Sequence, residues 1–234
     1  EVLFEKGLRF ARDIDDRGGA LLLGLYHGTI SNLRGDGANA VEYLQRCAGD
    51  CEELQYVAVQ GLAWTFLAWA YCILGESDTA RNYVQKGLEA QTSAGMPAYL
   101  SLVYVFSAMV HLDSGDVATA RHYVEEALKR SQDSGQRMEE GLSRVLLGRI
   151  LGKADISEVE EAESQIVQGI SILDDLGIRP LCSWGHFFLG ELYADTGQTE
   201  KALETLKKAE GMMQEMGMDY WLRRTQEVMA RVQG

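Results

Sequence analysis

Hydrophobic and polar positions along this chain fall into two kinds of segment that follow one another. Stretches such as "LAWTFLAWAYCIL" at 62–74 are apolar nearly all round. The stretches after them, such as "SDTARNYVQKGLEA" at 77–90, place small and aliphatic residues only at every third or fourth position. That interval puts Ala80, Val84 and Gly87 on one face of an α-helix. The pattern predicts an apolar helix, a short Gly/Asp turn and an amphipathic helix ending at glycine.

The unit recurs. Aligning "LGESDTARNYVQKGLEA" (74–90), "SGDVATARHYVEEALKR" (114–130) and "TGQTEKALETLKKAEG" (196–211) puts Ala80, Ala120 and Ala202 in one column. Ala40, from "RGDGANAVEYLQRCAG", joins it. Ala162 completes the column if the turn before it is about five residues longer than its siblings. The spacings are 40, 40, 42 and 40. Four residues beyond each anchor stand Leu44, Val84, Val124, Ile166 and Leu206. Seven beyond stand Cys47, Gly87, Ala127, Gly169 and Ala209, all small. Fifteen beyond, the last four units carry Gly95, Gly135, Gly177 and Gly217, suited to left-handed helix ends because glycine has no Cβ to clash. A fixed period of this length is the signature of stacked helical repeats, in which small residues admit a neighbouring helix.

With Trp64, Leu67, Ala68, Tyr71, Ala80, Val84 and Gly87 in one unit, and His186, Leu189, Gly190, Tyr193, Ala202, Leu206 and Ala209 in another, the chain resembles the tetratricopeptide repeats. A third unit keeps Tyr104, Ala108, His111, Ala120, Val124 and Ala127. The period is longer than the family's usual one, and glycine replaces its boundary proline. This long form resembles the C-terminal arrays of bacterial predicted ATPases fused to class III adenylate/guanylate cyclase domains, chiefly through "GHFFLGELYADTGQTEKALETLKKAEGMMQEMGMDYWL", and the maltose-regulon-activator type of regulator.

The resemblance implies an all-α, right-handed superhelical solenoid of about five antiparallel helix pairs. The expected division is a truncated preceding helix at 1–17, repeats at 18–55, 56–95, 96–135, 136–177 and 178–217, and a capping helix at 218–234. The helical pattern already present at Glu1 reads as part of something longer.

The resemblance also implies that ligands lie along a concave face made by the first helices. Thr65, Trp69, Val105, Met109, Arg149, Trp184, Phe187 and Glu191 are the expected partner-binding positions. Their rows are apolar enough to read two ways, as packed core or as a groove for a helix or extended peptide with Trp69 and Met109 as anchors. Arg137, Arg144, Arg149 and Lys153 put positive charge on one first helix, either to grip an acidic partner or to balance surrounding carboxylates.

Composition narrows the partners. With 35 acidic against 22 basic residues, the net charge of −13 repels phosphate backbones, so nucleic acid is not an expected partner. Two prolines, Pro97 and Pro180, leave long stretches free to be helical. No apolar run reaches the roughly 20 residues that span a bilayer, so no membrane segment is expected. Four cysteines, Cys47, Cys51, Cys72 and Cys182, form no disulfide framework, which favours a reducing cytoplasm.

Catalysis is not expected. His27, His111, His122 and His186 fall in helix columns, and Cys47 and Cys51, one turn apart, lack further metal ligands. "RGD" at 34–36 is a repeat turn. No cofactor is implied. The reading is a non-catalytic interaction or regulatory scaffold of a larger bacterial signalling protein, its partner a protein or peptide, including the parent's own domains. A small-molecule effector sensor and a homodimerisation module are the alternatives.

Overall fold

The structure is a computed structural model that describes residues 2–93, 95, 99–154 and 156–234. Pro97, and Met96 where the third repeat was expected to begin, lie outside the described residues. The described residues form twelve α-helices and no strand: α1 (Val2–Asp13), α2 (Arg17–Arg34), α3 (Gly37–Glu53), α4 (Val57–Ile73), α5 (Ser77–Ser93), α6 (Leu100–Asp113), α7 (Val117–Ser134), α8 (Arg137–Ala154), α9 (Val159–Asp175), α10 (Arg179–Asp195), α11 (Thr199–Met216) and α12 (Asp219–Gln233). They divide into two compact units, residues 1–113 and 114–234. The division falls between α6 and α7, the two helices of the third expected pair.

In the first unit each helix packs on the next in sequence, and the first helices α2, α4 and α6 also pack on one another in turn. In the second unit α8, α10 and α12 do the same while α9 and α11 pack between them. A first helix inside a unit is therefore enclosed by second helices and by other first helices. Ten residues of α4 are buried, from Val59 to Ala70, whereas α5 buries only Ala80, Val84, Gly87, Leu88 and Gln91. The all-round apolar segments and the amphipathic ones thus reflect two different environments.

Ala40, Ala80, Ala120, Ala162 and Ala202 sit at matching places on α3, α5, α7, α9 and α11, each with no exposed surface. The aliphatic residues four further on, Leu44, Val84, Val124, Ile166 and Leu206, are at most 1% exposed. Burying each such side chain contributes about 1.5–3 kcal/mol. The small residues mark backbone contact: a methyl group placed on Gly87 would lie 2.3 Å from Thr65 Oγ1 and 2.9 Å from the Gly61 carbonyl oxygen. First helices have a matching small column, in which Gly28, Gly148 and Gly190 face Leu44, Ile166 and Leu206.

Second helices end in paired backbone bonds. At α9, Gly177 N–H donates to Asp174 and Ile178 N–H to Leu173, with Gly177 at φ +68°. Gly95, Gly135 and Gly217 share that left-handed region, and so does Gln55, a non-glycine residue in the same column. Asp15 ends α1 the same way, at φ +56°. The turn before α9 was expected to be about five residues longer than the others. Instead α8 runs on to Ala154 and a 3-10 turn, Ile156–Glu158, leads into α9. Ala162 lies eight residues past the end of its first helix, against seven from Ile73 to Ala80, and α8 has 18 residues against 17 in α4, so helix and turn are each longer by one residue.

Candidate interaction surface

The eight expected contact positions all lie on first helices, and the enclosure just described buries every one. Their exposures run from 0% for Thr65, Trp184 and Phe187 to 8% for Glu191. In the first unit, Thr65 Oγ1 donates to the Gly61 carbonyl at 2.8 Å, spending its hydroxyl inside α4. Trp69 stacks on Phe106 with ring centroids 4.8 Å apart, and Val105 and Met109 are buried beside Phe106 in the α6 sequence. In the second unit, Trp184 and Phe187 pack against Trp221 of α12, with centroids 5.0 and 6.0 Å apart.

Arg149 and Glu191 come together as a buried ion pair across α8 and α10, Nε to Oε2 3.6 Å, and the guanidinium lies 4.2 Å from the Phe188 ring. A carboxylate and a guanidinium removed from water are tolerable only because each neutralises the other. The other basic residues of α8 are matched as well. Lys153 Nζ donates to Asp195 at 2.7 Å, and the same carboxylate accepts from Arg231 at 2.8 Å. Arg144 bonds Glu140 and Gln165 at 3.1 and 2.9 Å, and Arg137 stands 4.0 Å from Asp175. All four cations that were candidates to grip an acidic partner already face carboxylates of this chain.

Three ion pairs, one of them just described, repeat with the architecture. Arg17 with Glu53, Arg137 with Asp175 and Arg179 with Glu215 each join the first residue of a first helix to the last turn of its second helix.

Titratable side chains outside these pairs are absorbed by packing. His27 lies against Tyr43 and Phe4, with centroids at 4.0 and 5.5 Å. Burial pushes His186 down to about 4, which keeps it neutral, and pushes the Cys72 thiol up to about 12. Cys47 and Cys51 are buried free thiols, and their mutual hydrogen bond together with burial raises Cys47 well above the usual thiol range. Among the described residues no three metal-ligating side chains gather at one place. The "RGD" residues cap helices: Gly35 ends α2 at φ +82°, and Asp36 accepts from Asn39 N–H at the start of α3.

Accessible apolar surface lies elsewhere. Leu3, Phe10 and Ile14 on and just after α1 are 81%, 65% and 57% exposed, and Tyr26 on α2 is 59% exposed. A cleft of about 210 Å³ opens between α1, α2 and α3, lined in part by Leu8, Arg12, Arg17, Tyr43 and Arg46. Sequence reasoning singled out none of Leu3, Phe10 and Ile14, and Tyr26 only as one member of an apolar first-helix row. The available signal was comparison within columns, since Tyr26 falls in the row of Phe66, Phe106, Leu146 and Phe188, which are 2–5% exposed.

Residues 185–212 match the tetratricopeptide repeat family profile. Among curated proteins no sequence matches the chain. In fold, the chain is similar to BtubC from P. vanneervenii (17% identity, 92% of this chain and 90% of that one, TM-score 0.65). It is also similar to a signal transduction ATPase with numerous domains (STAND) from Pyrococcus horikoshii, described as having a tetratricopeptide repeat sensor (20% identity, 95% of this chain but 33% of that one, TM-score 0.62). A Rap protein crystallised with competence and sporulation factor is a third likeness (15% identity, 90% of this chain and 63% of that one, TM-score 0.68). At these identities the likeness is one of fold: the chain is a tetratricopeptide-like helical repeat protein, as its periodic alanines implied.

Proposed function

We propose that this chain is a non-catalytic interaction and regulatory module of a larger bacterial signalling protein, acting in the cytoplasm on a partner protein or on the parent's own ATPase or cyclase domains. The observation that carries this reading is the use made of the first helices. Their rows, with Thr65, Trp69, Val105 and Met109 in the first unit and Arg149, Trp184, Phe187 and Glu191 in the second, form within each unit a buried spine on which the amphipathic helices are mounted. In this reading those eight residues act on a partner through the geometry they impose on the exposed helix faces. A sensor role in a STAND protein of similar fold supports the regulatory half of the proposal.

The test is made in the gene product that carries this segment. ATPase or cyclase turnover is compared between the wild type, a variant lacking residues 1–234, and Arg149→Glu, which puts two like charges into the spine. Altered regulation in both variants is the expected result. Turnover and its response to stimuli unchanged by removal of the segment would sink the proposal.

A further inference from the structure

Every pair but the first fills one row of its first helix with a large side chain. The row reads Gly24, Trp64, Tyr104, Arg144 and His186, and the last four are half-buried. Trp64 stacks on Tyr83 of α5 with ring centroids 5.3 Å apart, and Lys86 Nζ lies 4.8 Å from the Trp64 ring. Arg144 donates to Gln165 of α9 at 2.9 Å. Burial lowers His186, and the charges that act on it are Lys208 of α11 and Asp174 of α9. A side chain in this row therefore meets its own second helix three and six residues past the anchor alanine. In His186 it also meets the preceding second helix, twelve past the anchor.

On α2 the row is empty. Gly24 is buried, yet a methyl group placed on it would have nothing within 4 Å. The cleft of about 210 Å³ occupies the vacated place: Leu21 and Gly24 line it from α2, Leu8 and Ala11 from α1, Tyr43 and Cys47 from α3. Helices α1 and α3 pack on α2 from either side as α9 and α11 pack on α10, so the missing side chain is what opens the cleft.

Charge is arranged around the same place. Arg46 of α3 holds the column of Lys86 and Lys208, and Arg12 of α1 holds that of Asp174. Both line the cleft, and among the described residues neither is in an ion pair. Of the carboxylates there, Asp16 accepts from Gly19 N–H at 2.8 Å, while Asp15 and Asp50 act on Arg17, which is paired with Glu53.

We propose that this cleft binds a small planar aromatic anion. Its ring takes the place left at Gly24, against Tyr43 and beneath Arg46, as Trp64 lies against Tyr83 and beneath Lys86; its negative group pairs with Arg12. An indole is the measure of the ring, since the next pair houses one in the same row. This goes beyond the regulatory reading, and the two fail separately, because binding is read on the chain itself while the turnover comparison needs no ligand.

Indole-3-acetate is titrated into isotope-labelled chain and followed by amide NMR shifts, with neutral indole and cationic tryptamine alongside. Saturable one-to-one shifts centred on Leu21, Gly24, Tyr43 and Cys47 are expected, the anion binding roughly tenfold tighter than indole, as a charge-assisted hydrogen bond provides, and tryptamine weakest. Gly24→Trp restores the row; it should abolish binding of all three while the thermal melt stays at or above that of the wild type. Arg12→Gln, at an exposed side chain, should bring the anion down to the affinity of indole and leave indole unchanged. No saturable shifts with either indole or its acetate, equal affinity for the three probes, binding that survives Gly24→Trp, or an Arg12→Gln effect shared by indole overturns the inference. A Gly24→Trp chain that fails to fold contradicts the vacancy and overturns it too.

Discussion

Substituting alanine for Gly169 and for Gly211 should move stability in opposite directions, although both are glycines inside second helices of the same unit. A methyl group on Gly169 would lie 2.6 Å from the Gly141 carbonyl oxygen and 2.9 Å from the Val145 nitrogen, both backbone atoms of α8, and 2.7 Å from Val145 Cγ2. Ordinary contact begins at 3.4 Å, and backbone cannot swing aside, so α8 and α9 must part along their shared face. The gain in helix propensity is about 1 kcal/mol, and overpacking of this kind costs about 1–3 kcal/mol. The net effect is a loss of about 1 kcal/mol, rising toward 2 if the separation spreads. Gly211 has nothing within 4 Å and is exposed on α11, so there the propensity term acts alone and stability rises by about 0.5–1 kcal/mol. Urea melts followed by far-UV circular dichroism, with slopes compared to confirm like transitions, measure the difference of about 2 kcal/mol. If Gly169→Ala stabilises as much as Gly211→Ala does, the close approach of α8 and α9 is wrong, and with it the meaning given to the small-residue column.

Three other outcomes follow from the geometry. Gln55→Gly should stabilise by up to about 1 kcal/mol by relieving a left-handed non-glycine backbone, and Gly177→Ala, at φ +68°, should cost about 1 kcal/mol; the same urea melts report both. Arg149→Ala should cost about 3–5 kcal/mol by leaving Glu191 buried without its guanidinium, whereas Arg149→Met combined with Glu191→Leu should recover most of it in a double-mutant cycle. His186, pushed down to about 4 by burial, contributes stability that is complete above its unfolded value near 6.5 and declines as pH falls from there toward 4, because the unfolded chain takes up the proton first. An NMR titration showing its imidazole half-protonated near 6.5 in the folded chain would refute that assignment.

The second helices were legible from sequence because each has one wet face, so its buried residues recur with helical spacing. Ala40, Ala80 and Ala120 could be picked out with a ruler of 40, Ala162 and Ala202 once a longer turn was allowed before Ala162, and all five proved fully buried. The first helices were not legible in the same way. Where every side of a helix is covered, apolar residues appear at every phase, and periodicity cannot separate a groove from a core. Trp69 and Phe187 were open to both readings for that reason; the packing of first helices on one another is what buries them. Left-handed backbone at Gln55 and Asp15 was also hidden, because it is imposed by register with glycines elsewhere in the chain and not by the residues themselves.

Helices α12 and α1 show why surface chemistry depends on what stands beside a residue. Helix α12 turns Trp221, 2% exposed, onto Trp184 and Phe187, and its Thr225 hydroxyl lies 3.3 Å from Met213 Sδ. Its other side carries Arg223, Gln226 and Glu227 in solvent, with Arg224 laid over the Trp221 ring at 5.4 Å. One side of α12 is thereby apolar and packed while the other is polar and exposed. Helix α1 has no such division. Phe4 and Leu8 turn inward while Leu3, Phe10 and Ile14 face out, so apolar side chains occupy both sides of one short helix. An isolated helix gains nothing from such a pattern, but a helix held between two others does. That contrast, present in a single chain, sets the exposed apolar residues of α1 apart from the polar outer side of α12.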